Sequence, residues 1–218
     1  MNTLPEELLT RGRKGAAEFK LPDEHSLQAA TRVFALSDFA QSAARRQRAW
    51  FLNALDDHGF AEPPDEATLR ADASKTLMDV LTMGDLQPAL RQLRQRYQLW
   101  VVWRHCLGIA TLEETATSCS LMADVLIDAA LSCLSEWSIA QRGVPLSTES
   151  GERQSMVVIA LGKLGAYELN LSSDVDLMFC YPERGALEGG ELNQQFFVRL
   201  GQQLIQALDP VTEDGFVF

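Results

Sequence analysis

An α+β protein is predicted: a helical bundle to about residue 142, then the opening strands and helix of a mixed sheet flanked by helices. Three features of the 218-residue sequence predict it. Apolar residues recur at three- and four-residue steps through two long segments, 86–107 and 112–137. The composition changes at Gly143, where a stretch rich in Gly, Ser, Pro and Glu begins. Beyond it lie two short runs with strand character and one more amphipathic segment.

Taken in order, residues 1–25 are polar and hold Pro5, Gly12, Gly15 and Pro22, so they read as a loose lead-in. The helical domain spans 26–142. Its first apolar steps are Leu27, Ala30 and Phe34, then Phe39 and Ala43, with a break near Ser37-Asp38. Trp50, Phe51, Ala54 and Leu55 form the next group, closed by Gly59. After the breaker Glu62-Pro63-Pro64-Asp65, a helix is predicted from about Glu66 to Met83. Leu86, Leu90, Leu93, Tyr97, Trp100, Arg104 and Leu107 then form a seam that Gly108 ends. The second long helix carries Leu112, Ala116, Cys119, Ala123, Leu126, Ala130, Cys133 and Trp137 on one face. Thr111 and Glu114 have the spacing of a capping box at its start. Small and large residues alternate along that seam, which suits close packing of another helix.

Residues 143–154 read as a linker and 155–218 as the second domain. Met156-Val157-Val158-Ile159-Ala160-Leu161 has the apolar, β-branched pattern of a fully buried strand. A second strand is predicted over 174–181, a loop over 182–190, and a helix through Leu192, Phe196, Leu200, Leu204 and Leu208, ended by Pro210. Thr212-Glu213-Asp214-Gly215 reads as a turn and Phe216-Val217-Phe218 as a further strand, so this domain is expected to be incomplete at its C-terminal end.

The hydrophobic share of 46% and charged share of 22% fit a folded chain. Lys plus Arg is 19 against 30 for Asp plus Glu, a formal charge of −11, which opposes docking along a nucleic-acid backbone. No apolar run approaches the ~20 residues that span a bilayer, and the first twenty or so lack the apolar segment of a signal peptide. Neither nucleic acid nor membrane is therefore expected as a partner. Cys106, Cys119, Cys133 and Cys180 form no CxxC pair and read as reduced thiols of a cytoplasmic protein. His25, His58 and His105 match no metal spacing. Arg45, Arg46, Arg48, Arg91, Arg94 and Arg96 read as solvated helix faces, with an acidic partner as the less favoured alternative; Trp100 and Trp103 read as core.

The chemistry centres on Asp174 and Asp176. Residues two apart in a strand point the same way, so both carboxylates project together, ~7 Å apart along the strand. Alone, such a pair marks an edge strand with one solvated face. As a metal site it suits Mg²⁺, which takes one or two carboxylates beside waters and phosphate oxygens. The preceding segment favours the metal: an apolar strand ends at Gly162, where a phosphate can approach the backbone, and Lys163 and Ser173 add a cation and a hydroxyl. Strand, glycine turn, short link and Asp-x-Asp form an order suited to nucleotidyl transfer. A dinucleotide-binding reading fails, since Gly162-x-x-Gly165 lacks the remaining glycine and a long helix after it.

The stretch Gly162-Lys163-Leu164-Gly165-Ala166-Tyr167-Glu168-Leu169-Asn170-Leu171-Ser172-Ser173-Asp174-Val175-Asp176-Leu177 closely resembles the signature of glutamine synthetase adenylyltransferases/deadenylylases, within the DNA polymerase β-like nucleotidyltransferase superfamily. Ala35-Leu36-Ser37-Asp38-Phe39 resembles the start of the N-terminal half of those two-headed enzymes. The resemblance implies that the N-terminal head removes AMP from a tyrosine of glutamine synthetase by phosphate attack, yielding ADP, and that the C-terminal head attaches AMP from ATP. It implies that Asp174 and Asp176 ligate Mg²⁺ or Mn²⁺, and that Gly162, Lys163, Ser172 and Ser173 meet the phosphates of ATP or ADP. PII-type signal proteins and glutamine are implied as regulators. Ala166 stands where many members have a second glycine, and Tyr167 where a charged residue is common. The family's third carboxylate follows a segment like Gly215-Phe216-Val217-Phe218, so the 218 residues by themselves are expected to be catalytically incompetent. The alternative function is a helical interaction module that binds nucleotide without chemistry.

Overall fold

The structure, a computed structural model, describes residues 4–56, 60–209 and 217. Its helices in chain order are α1 (Glu6–Ala16), α2 (Glu24–Leu36), α3 (Asp38–Arg46), α4 (Arg48–Asp56), α5 (Glu66–Leu77), α6 (Met83–Leu107), α7 (Leu112–Arg142), the single turn α8 (Gly162–Gly165) and α9 (Asn193–Leu208). Strands β1 (Leu146–Ser147), β2 (Val157–Leu161), β3 (Asp176–Cys180) and β4 (Gly185–Ala186) form two small antiparallel ribbons, β1 with β4 and β2 with β3. The chain is thus mixed α+β and dominated by helix.

Side-chain caps set the helix starts. Asp23, Ser37, Asp65, Thr82 and Thr111 each accept a backbone N–H in the first turn of the helix that follows. The break at Ser37-Asp38 lies where the sequence puts it, because the Ser37 hydroxyl accepts from Ala40 N and opens α3. Gly108, left-handed at φ 72°, ends α6. The capping box of α7 is half realised: Thr111 Oγ1 accepts from Glu114 N at 3.0 Å, while the Glu114 carboxylate pairs with Arg104 Nε at 2.8 Å. The helix predicted from Glu66 to Met83 is two elements, since α5 stops at Leu77 and Thr82 caps α6 at Met83.

The lead-in is also different from expectation, for α1 is an ordered helix packed along α2. Its Gly12 does not break it; a Cβ there would run into the Thr31 carbonyl oxygen of α2, so the glycine permits the close approach. The stretch 143–154 contains β1, and the 182–190 loop contains β4. Asn193 Nδ2 donates to Leu146 O at 2.9 Å and ties β1 to the start of α9. Residues 57–59, with His58 and Gly59, the turn over 212–215, and Pro210, Phe216 and Phe218 lie outside the described residues. Val217 is buried and its N–H donates to Leu208 O at 3.3 Å.

Two cores share α6. Phe19, Phe34, Phe51, Phe60 and Trp103 form an aromatic cluster in which α1 to α4 meet the C-terminal half of α6. Leu86, Leu90, Leu93 and Tyr97 face the larger core, with Leu69 and Leu77 of α5, Leu126 and Leu134 of α7, and Leu200 and Leu204 of α9. That core runs across residue 143 without a break. Long and apolar enough by length and composition to cross a membrane, α7 has just over half of its most apolar stretch buried against the rest of the protein. Two of the arginines expected on solvated faces, Arg91 and Arg94, are buried instead. Arg91 Nη1 donates to Gln87 O and to Ala207 O, covering a carbonyl in the last turn of α9. Arg45 pairs with Glu18, and Arg96 with Asp72.

Candidate active site

Strands β2 and β3 build the site. Leu161 pairs with Asp176 at one end of the ribbon and Val157 with Cys180 at the other. Helices cover one side of this ribbon only: Val158, Ala160, Val175, Leu177 and Phe179 pack on the larger core. Val157, Ile159, Leu161 and Met178 are 47, 40, 44 and 48% exposed, so the strand expected to be fully buried alternates. The second strand is shorter than predicted, beginning at Asp176, and Asp174 precedes it in extended chain. The alternation continues through it: Asp174, Asp176 and Met178 are exposed, and Val175 and Leu177 between them are half-buried.

Gly162 lies at the end of β2 with φ 56°, the left-handed region that disfavours a side chain. A Cβ placed there would come within 3.2 Å of Asp176 Oδ2, so the absence of a side chain leaves a cradle beside the carboxylate. From this corner α8 makes one turn. Lys163 Nζ donates to Ser173 Oγ at 3.2 Å, so the cation and hydroxyl ten residues apart in sequence are joined. Asn170, which sequence reasoning did not single out, organises the approach to Asp174. Its Oδ1 accepts from Ser172 N at 3.0 Å, and its carbonyl accepts from Ser173 N at 3.3 Å. Ser172 Oγ is 3.4 Å from the same Asn170 Oδ1. The structure therefore brings Gly162 to Asp176 and Lys163 to Ser173, and turns Ser172 toward Asn170.

The donor set fits a hard divalent cation that keeps waters and takes phosphate oxygens for its remaining positions. Among the described residues no cluster of three His, Cys, Asp or Glu side chains is grouped to hold a metal alone. Two clefts lie apart from the corner. One of about 630 Å³ runs between α5 and α7, lined by Arg70, Leu77, Asp128 and Glu136 among others. Another, of about 290 Å³, lies between β3 and the end of α9; it includes Asp174 but neither Asp176 nor Gly162.

A helical bundle with a short ribbon, whose open face exposes Asp174 and Asp176 with Gly162 against the latter, defines an α+β protein with an acidic ribbon end. Residues 27–218 match the family model for glutamate-ammonia ligase adenylyltransferase, and the chain belongs to that family. Among similar proteins, the bifunctional glutamine synthetase adenylyltransferase/adenylyl-removing enzyme of Pseudomonas aeruginosa is 44% identical over 198 residues, 89% of this chain and 20% of the relative. The enzyme of the same description from Pseudomonas putida is 43% identical over 189 residues, 85% of this chain and 19% of the relative. That of Hahella chejuensis is 42% identical over 190 residues, 86% and 20%. The chain spans about a fifth of the length of the curated relatives it matches.

Proposed function

We propose that this chain carries the metal and nucleotide site of the head that removes AMP from glutamine synthetase. The observation that supports the reading is the corner itself: left-handed Gly162 against the Asp176 carboxylate, with Lys163 and Ser173 joined across the same turn. Asp174 and Asp176 would hold Mg²⁺ or Mn²⁺, which when bound supplies charge neutralisation at the transferring phosphoryl group. Gly162 leaves room for a phosphate oxygen at its backbone N–H. Lys163 and Ser173 supply a cation and a hydroxyl to terminal oxygens of ATP or ADP, and Ser172 a further hydroxyl close by. In the reaction an oxygen of inorganic phosphate bonds to the adenylyl phosphorus as the bond to the tyrosyl oxygen breaks. The products are ADP and the tyrosine, which regains its proton.

The assignment to the deadenylylating head rests on the likeness of the helical segment to the N-terminal half of the two-headed enzymes. Regulation by PII-type proteins and glutamine, and a cytoplasmic setting, belong to the same proposal. A second reading is a helical interaction module that binds nucleotide at the same corner without chemistry.

The test has two parts. The chain should bind ADP in the presence of Mn²⁺, and Asp174→Asn or Asp176→Asn should weaken that binding at least about tenfold, as loss of a charged ligand does. Grafted in place of the matching segment of the Pseudomonas aeruginosa enzyme, it should sustain phosphate-dependent release of ADP from adenylylated glutamine synthetase. The double Asn variant of the graft should lose that release and keep AMP attachment from ATP. Loss of attachment instead would assign the other head, and ADP binding without release by the graft would favour the binding module.

A further inference from the structure

Tyr167 is the non-glycine residue with positive φ, 59°, among the described residues. It follows α8, and the backbone around it closes the turn in a specific way. Tyr167 N–H donates to Leu164 O at 3.0 Å and Glu168 N–H to Lys163 O at 2.8 Å. This nested pair is the Schellman ending of a helix, and Tyr167 occupies the left-handed position that glycine usually takes there. A tyrosine at that position is unfavourable for the backbone, so its side chain must return something. Its phenol donates to Asp124 Oδ2 of α7 at 2.5 Å, while the residue remains 45% exposed and contributes little burial.

Two further bonds hold the same connector to the helices. Leu169 N–H donates to Ser120 Oγ of α7 at 3.2 Å, and Gln98 Nε2 of α6 donates to Leu171 O at 2.9 Å. Leu164 and Leu169 are buried beneath it. The chain from Gly162 to Ser173 is thus fastened to α6 and α7 while Gly162, Lys163 and Ser172 stay exposed and Ser173 half-buried.

We propose that Tyr167 is a positioning residue: with Asp124 it latches the glycine corner to α7 and sets Lys163 and Gly162 for the nucleotide phosphates. The inference rests on the proposed nucleotide site and deepens it, because it makes the helical bundle part of nucleotide recognition. Tyr167 stands where the family resemblance leads one to expect a charged residue, so the latch is carried by this chain's own departure from the pattern.

The experiment measures ADP binding to the 218-residue chain in the presence of Mn²⁺, with melting temperature and Mn²⁺ affinity as companions. Tyr167→Phe and Asp124→Ala should each weaken ADP binding about tenfold, the double variant no more than either alone, and Asp124→Asn, which keeps an acceptor, should largely restore it. Mn²⁺ affinity without nucleotide should stay within about twofold, since the phenol bond adds nothing to the metal ligands. Tyr167→Gly decides between structure and positioning. It relieves the backbone, so the melting temperature should hold or rise while ADP binding still falls. Wild-type ADP binding in the Phe and Gly variants overturns the latch and leaves the site standing, and additive losses in the double variant overturn the role of Asp124. Losses that track the melting temperature overturn positioning in favour of a structural role. If the unaltered chain binds no ADP, or Asp176→Asn binds it undiminished, the site fails and the latch falls with it.

Discussion

Gly162 and Asp176 are held so closely that one methyl group tests the corner. Gly162→Ala places a side chain at φ 56°, 3.2 Å from Asp176 Oδ2. The left-handed conformation costs an L-residue about 1–2 kcal/mol, which lowers the melting temperature by about 2–4 °C per kcal/mol in a chain of this size. Thermal melting and Mn²⁺ titration should show both a loss of stability and a weaker metal site; an unchanged chain would mean the corner has room to spare. Titration of Tyr167 gives a second test. The hydrogen bond to the Asp124 carboxylate pushes its phenol from 10 up to about 12, and burial raises Asp124 itself. The folded value lies above the unfolded one, so the contribution of the bond is complete below pH 10 and is lost as pH rises toward 12. The difference in melting temperature between wild type and Tyr167→Phe should therefore shrink across that window. A constant difference would show that the phenol's ionisation is not tied to folding.

Helix boundaries follow from chemistry within a few residues of each other, and those were legible. The seams place the two long helices, and Gly108 and Thr111 place the turn between α6 and α7, because caps act locally. Thr111→Ala should cost about 1 kcal/mol through loss of its bond to Glu114 N, measurable by denaturant unfolding. An effect near zero would mean that the Glu114–Arg104 pair alone holds that end. Elements whose cause is distant were not legible. Gly12 looks like punctuation in α1 until the Thr31 carbonyl is placed against it. The end of α5 at Leu77 is hidden by the apolar residues that continue to Leu81. The ribbon of β1 and β4 joins residues about forty apart that carry no strand pattern. At the candidate site, Asp174, Asp176 and Gly162 stood out by spacing, while Asn170, Asp124, Ser120 and Gln98 did not. Their partners are set by packing rather than by order in the chain.

On the scale of the molecule, α6 belongs to both cores, and unfolding should reflect it. Leu90 is fully buried in the larger core; Trp103, Trp100 and Trp50 lie in or against the aromatic one, and Trp137 packs against the larger. Leu90→Ala should destabilise by about 2–5 kcal/mol. Its urea transition should move equally by tryptophan fluorescence and by circular dichroism, because a helix common to both regions transmits the loss. Separate transitions would mean that the two cores melt independently. The same architecture leaves β2 and β3 covered from one side only, with each strand hydrogen-bonded to a single neighbour among the described residues. Four oily side chains then face the solvent, so concentrated solutions of these 218 residues are poised to cohere through that face. Sulfate, which strengthens apolar association, would cloud them sooner than dilute buffer. Asp176 sets a carboxylate opposite Leu161 at the head of the ribbon, so the contact is expected over Val157, Ile159 and Met178.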